Sequence, residues 1–197
     1  DRAEDLARDR VKALFGAEIL HVWSLGVAPS TDERLQANVR HNSFFVGNPT
    51  RAAVNRGLAD YTPIFLSQVP DLFHRRHIDI DVALIQTSLP DRHGYLNLGI
   101  SVDIVKAAVA CASLVVAQVN PRMPRTHGDG IVKVSSFNAV VQASQELPEV
   151  YLNSIPDLSM RIGEFCASLV ENGATIQTGV DTIPEAALAC LGNHKGL

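Results

Sequence analysis

Three stretches carry residue types and spacings that could handle a small acidic or acyl ligand. The most suggestive is GATIQTGVDTIPEAAL, residues 173–188. ATIQT reads as a strand and Gly179 as the turn after it. Asp181 or Thr182 caps a helix with Pro184 in its first turn, where a missing N–H costs nothing. Free amides at such a helix start would face a ligand oxygen. Asp181 and Glu185 make the same place acidic and act against an anion, so Asp181 is either the helix cap alone or a residue that has changed the pocket.

SLPDRHGYLNLGISVD, residues 88–103, holds a Pro-Asp turn, His93-Gly94, and Gly99 ahead of Ser101, which can cap the next helix. His93 is a general base or ligand on one reading and a hydrogen-bonding turn residue on the other. PRMPRTHGDG, residues 121–130, gathers Arg122, Arg125 and His127 in one loop, either a clamp for a carboxylate or phosphate or a set of solvated charges. Zinc finds little support. His74 and His77 sit beside Arg75 and Arg76, which repel a cation, and neither a CxxC pair nor HExxH occurs. Nor is there a G-x-S-x-G elbow for a Ser-His-Asp hydrolase.

The elements that must position these loops alternate between strand and helix. A short amphipathic helix through Ala3, Leu6, Ala7, Val11 and Leu14 stops at Gly16, and AEILHVWSLG, residues 17–26, reads as a strand. A largely polar stretch, residues 29–43, separates it from Phe44-Phe45 and the turn residues Gly47, Asn48 and Pro49. Thr50 can cap a helix running to Gly57. PIFLS, residues 63–67, is a buried-strand candidate, followed by a helix over 69–76. DVALIQTS, residues 81–88, is the clearest strand, and SLVVAQVN, residues 113–120, another. Between them Val102, Val105 and Val109 mark a helix from Ser101. A weaker strand lies near 131–134. The spacing of Ile162, Phe165, Cys166, Leu169 and Val170 predicts a helix over 159–171 that ends at Asn172-Gly173. This order predicts an α/β fold: an open, mainly parallel sheet with helices on both faces, its ligands beyond the carboxyl ends of the strands.

A chain of 197 residues with 46% hydrophobic and 19% charged residues can bury a sizeable core as one domain. The net charge of −4 argues against a nucleic-acid or membrane-surface role, which needs a basic face. Cys111, Cys166 and Cys190 are widely spaced in apolar patterns and read as buried thiols of a reducing compartment, with the cytoplasm as default. No apolar run is long enough to span a bilayer.

Several stretches together resemble the acetyl-CoA hydrolase/transferase family, in collinear order over nearly the whole chain. They are HNSFFVGNPTRAAVNRGLADYTPIFLSQVPDLF, DVALIQTSLPDRHGYLNLGISVD, AQVNPRMPRTHGD and NGATIQTGVDTIPEAAL, closing with HKGL. The resemblance is strongest to the 4-hydroxybutyrate CoA-transferases. It implies an N-terminal domain, one of two similar open α/β domains with the active site between them, here without its first strand and its C-terminal partner. It further implies CoA transfer from an acyl-CoA to a short free carboxylate through a glutamyl-CoA thioester. CoA is then a substrate, and no cofactor is permanently bound.

Carried onto this chain, the family's G-I-G-x-I-P turn matches Gly179, Val180, Asp181, Thr182, Ile183 and Pro184, where CoA or its thioester would lie. The family glutamine matches Gln177, which would hydrogen-bond the substrate carboxyl. The attacking glutamate belongs to a GIHTE-like sequence that follows HK-x-L, so the resemblance places it past Leu197 and implies that these residues alone do not turn over. Asp181 stands where the family has its second glycine, and it is expected to weaken or alter transfer. An acyl-CoA hydrolase is the near alternative, and a non-catalytic ligand-binding or partner module of the same fold the more distant one. A homo-oligomer or a second domain would complete the site.

Overall fold

The computed structural model describes residues 15–23, 28–149 and 154–197, and the helix expected through Ala3 to Leu14 lies outside them. The chain divides into two compact units, Asp1–Pro148 and Glu149–Leu197.

The first unit is α/β, as its sequence order predicts. β1 (Ala17–His21), β2 (Val39–Ser43) and β3 (Asp60–Tyr61) form one parallel sheet, and β4 (Val82–Thr87), β6 (Leu114–Val119) and β8 (Ala139–Gln142) a second. β5 (Tyr95–Asn97) and β7 (Ile131–Lys133) pair antiparallel. The helices are α1 (Asn48–Asn55), α2 (Val69–His74) and α3 (Val105–Cys111). β4 and β6 run in register from Val82↔Leu114 to Thr87↔Val119, the parallel β-loop-α-β unit expected of residues 81–120.

The period-2 pattern of this pair decides what packs where. Ala83, Ile85, Val115, Ala117 and Val119 point to one buried face, covered by Val105, Ala108 and Val109 of α3 and by Leu96, Leu98 and Val132 around β5–β7. The alternate residues Val82, Leu84 and Leu114 are exposed. A second core gathers Phe44, Val69, Phe73 and Ala107 with Leu20 and Val22, so α2 and α3 pack beside the ends of β1 and β2.

Four expectations for this unit need correction. Residues 63–67 are not a strand: the ladder stops at Tyr61, and Phe65 and Leu66 are 77% and 55% exposed. Residues 29–43 contain two 3-10 turns and then β2, whose polar composition masked a strand that buries Val39, His41 and Ser43. Gly47, not Thr50, caps α1, and Thr50 sits inside its first turn with its hydroxyl 3.4 Å from the Gly47 carbonyl. Ser101 does not cap α3, which starts after Ile104; Asp103 Oδ1 accepts the Ile104 N–H at 2.6 Å.

The second unit is a helical hairpin of α4 (Asp157–Ser168) and α5 (Thr182–Cys190). α4 starts two residues earlier and ends three earlier than its apolar spacing predicts, and it buries a different face. Gly163 and Ala167 are inside, whereas Phe165 and Leu169 of the expected stripe are 70% and 84% exposed and Cys166 is exposed. The reason is backbone proximity. A Cβ on Gly163 would stand 2.6 Å from the Ala186 carbonyl carbon, so the helices cross where small residues face each other and the large ones turn outward. Residues 174–178, expected as a strand, pair with no strand among the described residues.

Candidate functional site

Beyond the carboxyl ends of β4 and β6 the loops of residues 88–103 and 120–130 meet, and Asn97 is their centre. The side chain of Asn97, 1% exposed, donates to the Thr126 carbonyl at 2.8 Å and accepts from Gly99 N at 2.7 Å, Thr126 N at 3.2 Å and Thr126 Oγ1 at 3.1 Å. Gly99 makes this possible. It takes φ +63, and a Cβ there would lie 2.5 Å from Met123 Cγ and 2.9 Å from the Pro124 carbonyl.

Arg125 closes the same structure. It donates to Ser88 Oγ (3.3 Å), to the carbonyls of Leu89 and Tyr95 (3.2 Å each) and to Asp91 Oδ2 (3.3 Å). Asp91 also accepts the His93 and Tyr95 amides, both at 2.9 Å. These backbone hydrogen bonds, with the charge of Arg125, hold its carboxyl below the usual carboxylate range. Asn120, fully buried, binds Gln86 Oε1 at 2.7 Å and the Gln145 carbonyl at 2.8 Å.

The clamp, one of the two readings of residues 121–130, therefore dissolves into separate roles. Arg125 is spent on the 88–95 turn, and Arg122 pairs with Glu146 at 2.9 Å. His127 is exposed. His93 is exposed too, and its Nε2 accepts from Arg92 Nε at 3.0 Å, which makes it a turn residue. His74 Nδ1 lies 3.2 Å from Cys111 Sγ, and no group of three or more metal-ligating side chains occurs among the described residues.

The segment of residues 177–183, in the second unit, is built otherwise. Gln177, Gly179, Val180, Asp181 and Ile183 are exposed and Thr182 is half-buried. Gln177 Nε2 donates to the Thr178 carbonyl at 3.1 Å. Asp181 caps α5: its Oδ1 accepts Thr182 N at 2.7 Å. Its backbone, φ 172 and ψ 174, is extended, a conformation that an aspartate adopts as readily as the glycine of the family motif. Gly179 is not left-handed either, and a Cβ on it would meet only Pro184 Cγ, at 3.8 Å.

A third cluster escaped the sequence reading. His21 and His41 stack with ring centroids 6.0 Å apart at the carboxyl half of β1 and β2, and His41 is 1% exposed. Its Nδ1 is 2.7 Å from Ser30 Oγ and its Nε2 3.0 Å from Ser43 Oγ. Burial, and then the neighbouring His21, push the His41 pKa down; burial also lowers that of His21, against the pull of Asp103. The alternation Val39-His41-Ser43 was the available signal.

Comparison with known proteins fits this architecture. The model of the acetyl-CoA hydrolase/transferase N-terminal domain matches residues 3–156. The chain is 48% identical over 183 residues to 4-hydroxybutyrate coenzyme A transferase of Clostridium kluyveri, which covers 93% of this chain and 43% of that protein. It is 41% identical over 187 residues to succinyl-CoA:acetate/propanoyl-CoA:succinate CoA transferase of Fasciola hepatica, covering 94% and 39%. Among solved structures, RipA from Yersinia pestis superposes with a TM-score of 0.89 at 26% identity, over 97% of this chain and 47% of that one. 4-Hydroxybutyrate CoA-transferase from Porphyromonas gingivalis gives 0.70 at 31%, over 98% and 51%. The chain thus belongs to the acetyl-CoA hydrolase/transferase family, and it spans about two fifths of the length of these curated relatives. No helix among the described residues is long and apolar enough to cross a membrane.

Proposed function

We propose that the polypeptide carrying these residues is a CoA-transferase acting between a short-chain acyl-CoA and a free carboxylate, of the 4-hydroxybutyrate, butyrate or acetate type. The 48% identity to a 4-hydroxybutyrate coenzyme A transferase over 93% of the chain carries this reading.

In the proposed mechanism a glutamate carboxylate attacks the thioester carbonyl and expels CoA as its thiolate, leaving a mixed anhydride. The thiolate attacks the glutamyl carbonyl, releasing the first carboxylate and leaving a glutamyl-CoA thioester. A second carboxylate reverses the sequence. No residue of 177–183 supplies that nucleophile. Their part is to receive CoA: the amides of Gly179, Val180, Asp181 and Ile183 face the thioester in this proposal, Thr182 shapes the turn with its own amide held by Asp181, and Gln177 faces the substrate carboxyl. A well-placed amide on the oxyanion contributes roughly 3 kcal/mol. The exposure of Gln177 and Gly179 to Asp181 supports this assignment. Asp181 brings a carboxylate to the same place, which slows transfer by repelling the developing oxyanion.

Mass spectrometry of the whole polypeptide that carries these residues, after incubation with butyryl-CoA and isotopically labelled acetate, tests the proposal. Labelled acetyl-CoA, free butyrate and a labile CoA adduct on the protein are expected. Butyrate and CoA released without label transfer would make it a hydrolase, and a folded protein with neither reaction would overturn both.

A further inference from the structure

We propose that His21 and His41 form an acid-operated latch on the strap of residues 28–36, closed while both rings are neutral and opened as they take up protons.

The placement follows from the register of the first sheet. In-register pairing puts Glu18, Arg40, Asn42 and Asp60 on one face of β1–β2–β3 and His21, His41 and Ser43 on the other. The polar groups of the first face are already engaged: Glu18 accepts from Asn42 Nδ2 at 2.8 Å, and Arg40 Nε donates to Asp60 at 2.6 Å. Over the histidine face runs the strap, two 3-10 turns at Pro29–Thr31 and Glu33–Leu35, the second anchored by Leu35, which is 6% exposed. Ser30 Oγ, 2.7 Å from His41 Nδ1, ties it to the sheet.

A neutral imidazole offers one donor and one acceptor, and hydroxyls on both sides satisfy either tautomer. An imidazolium has two donors, so both serine hydroxyls must turn to accept, and the charge is then shut in a site 1% exposed beside a second ring. Asp103 acts on His21 and favours the first proton there. That proton then opposes a second on His41. Opening the strap hydrates both rings. β2 keeps its ladders to β1 and β3, so the strap yields before the sheet.

The sign follows from linkage. Both rings bind protons more weakly closed than open, so the closed strap is fully favoured above the ordinary histidine value of 6.5 and loses ground as pH falls below it. Each coupled histidine changes the opening constant by about tenfold per pH unit in that window, two by about 100-fold. The latch does not depend on the CoA reading and can fail without it.

Hydrogen exchange of the whole chain between pH 7.5 and 5.0, corrected for the intrinsic pH dependence of exchange, tests it. Protection of residues 28–36 should collapse below pH 6.5 while that of β4 and β6 persists. In His21→Gln and in His41→Gln alike the pH dependence should flatten to at most tenfold per unit, the share of the ring that remains. Strap protection constant over the range, loss of strap and β4–β6 amides together, or an unchanged slope in His21→Gln would each overturn the latch. The His21→Gln arm keeps the test decisive if His41→Gln does not fold.

Discussion

The loops beyond β4 and β6 and the segment of residues 174–183 are written in the same alphabet of glycine, proline and short polar residues, yet they are built differently. In the first, Asn97 and Arg125 bind several partners each, and nearly all those partners are backbone or loop atoms. In the second, Asp181 caps a helix and little else is engaged. The contrast teaches that a loop rich in polar residues is not by that fact a site: the first spends its groups on holding its own shape, and the second leaves Gln177 and Gly179 to Asp181 exposed.

Substitutions can break this contrast. The largest effect is expected at the first region. Asn97→Ala strands the Gly99 and Thr126 amides in a buried setting and should cost about 3 kcal/mol, read by denaturant unfolding. Gly99→Ala, which adds a clash to a left-handed backbone, should cost a similar amount. Gly163→Ala, against the Ala186 backbone, should cost roughly 1–3 kcal/mol and affect the α4–α5 hairpin alone. Asp181→Gly should be the mildest for stability, a few tenths of a kcal/mol, since glycine is itself an accepted cap. It should nonetheless raise the transfer rate, so that kinetics and stability part company at this residue.

Acid sharpens the contrast in sequence. The His21 and His41 pKa values are lowered, so stability is complete above 6.5 and declines as pH falls below it. Asp60 and Asp91 are held below 3.8, by the Arg40 hydrogen bond and by the Tyr95 amide respectively, so their contribution is present above 3.8 and lost at lower pH. A pH series of thermal melts should show two separated declines.

The parallel β4–α3–β6 unit was legible because Val82 to Thr87 and Leu114 to Val119 are rich in apolar and β-branched residues bounded by turns. β2 was not, because VRHNS buries polar residues by hydrogen bonding them to one another and to neighbouring segments, and hydropathy does not record that. The face of α4 was misassigned for a related reason: Gly163 and Ala167 pack by backbone proximity, which an apolar stripe cannot signal. At the candidate site the cap by Asp181 was readable from local chemistry, whereas the commitment of Arg125 depended on Tyr95, thirty residues away.

The two regions differ most sharply in which of them meets CoA. Hydrogen exchange of the polypeptide with and without CoA answers this directly. Added protection at residues 177–184, with residues 88–97 and 120–126 unchanged, is the predicted result. Protection at 88–97 and 120–126 with none at 177–184 would contradict it.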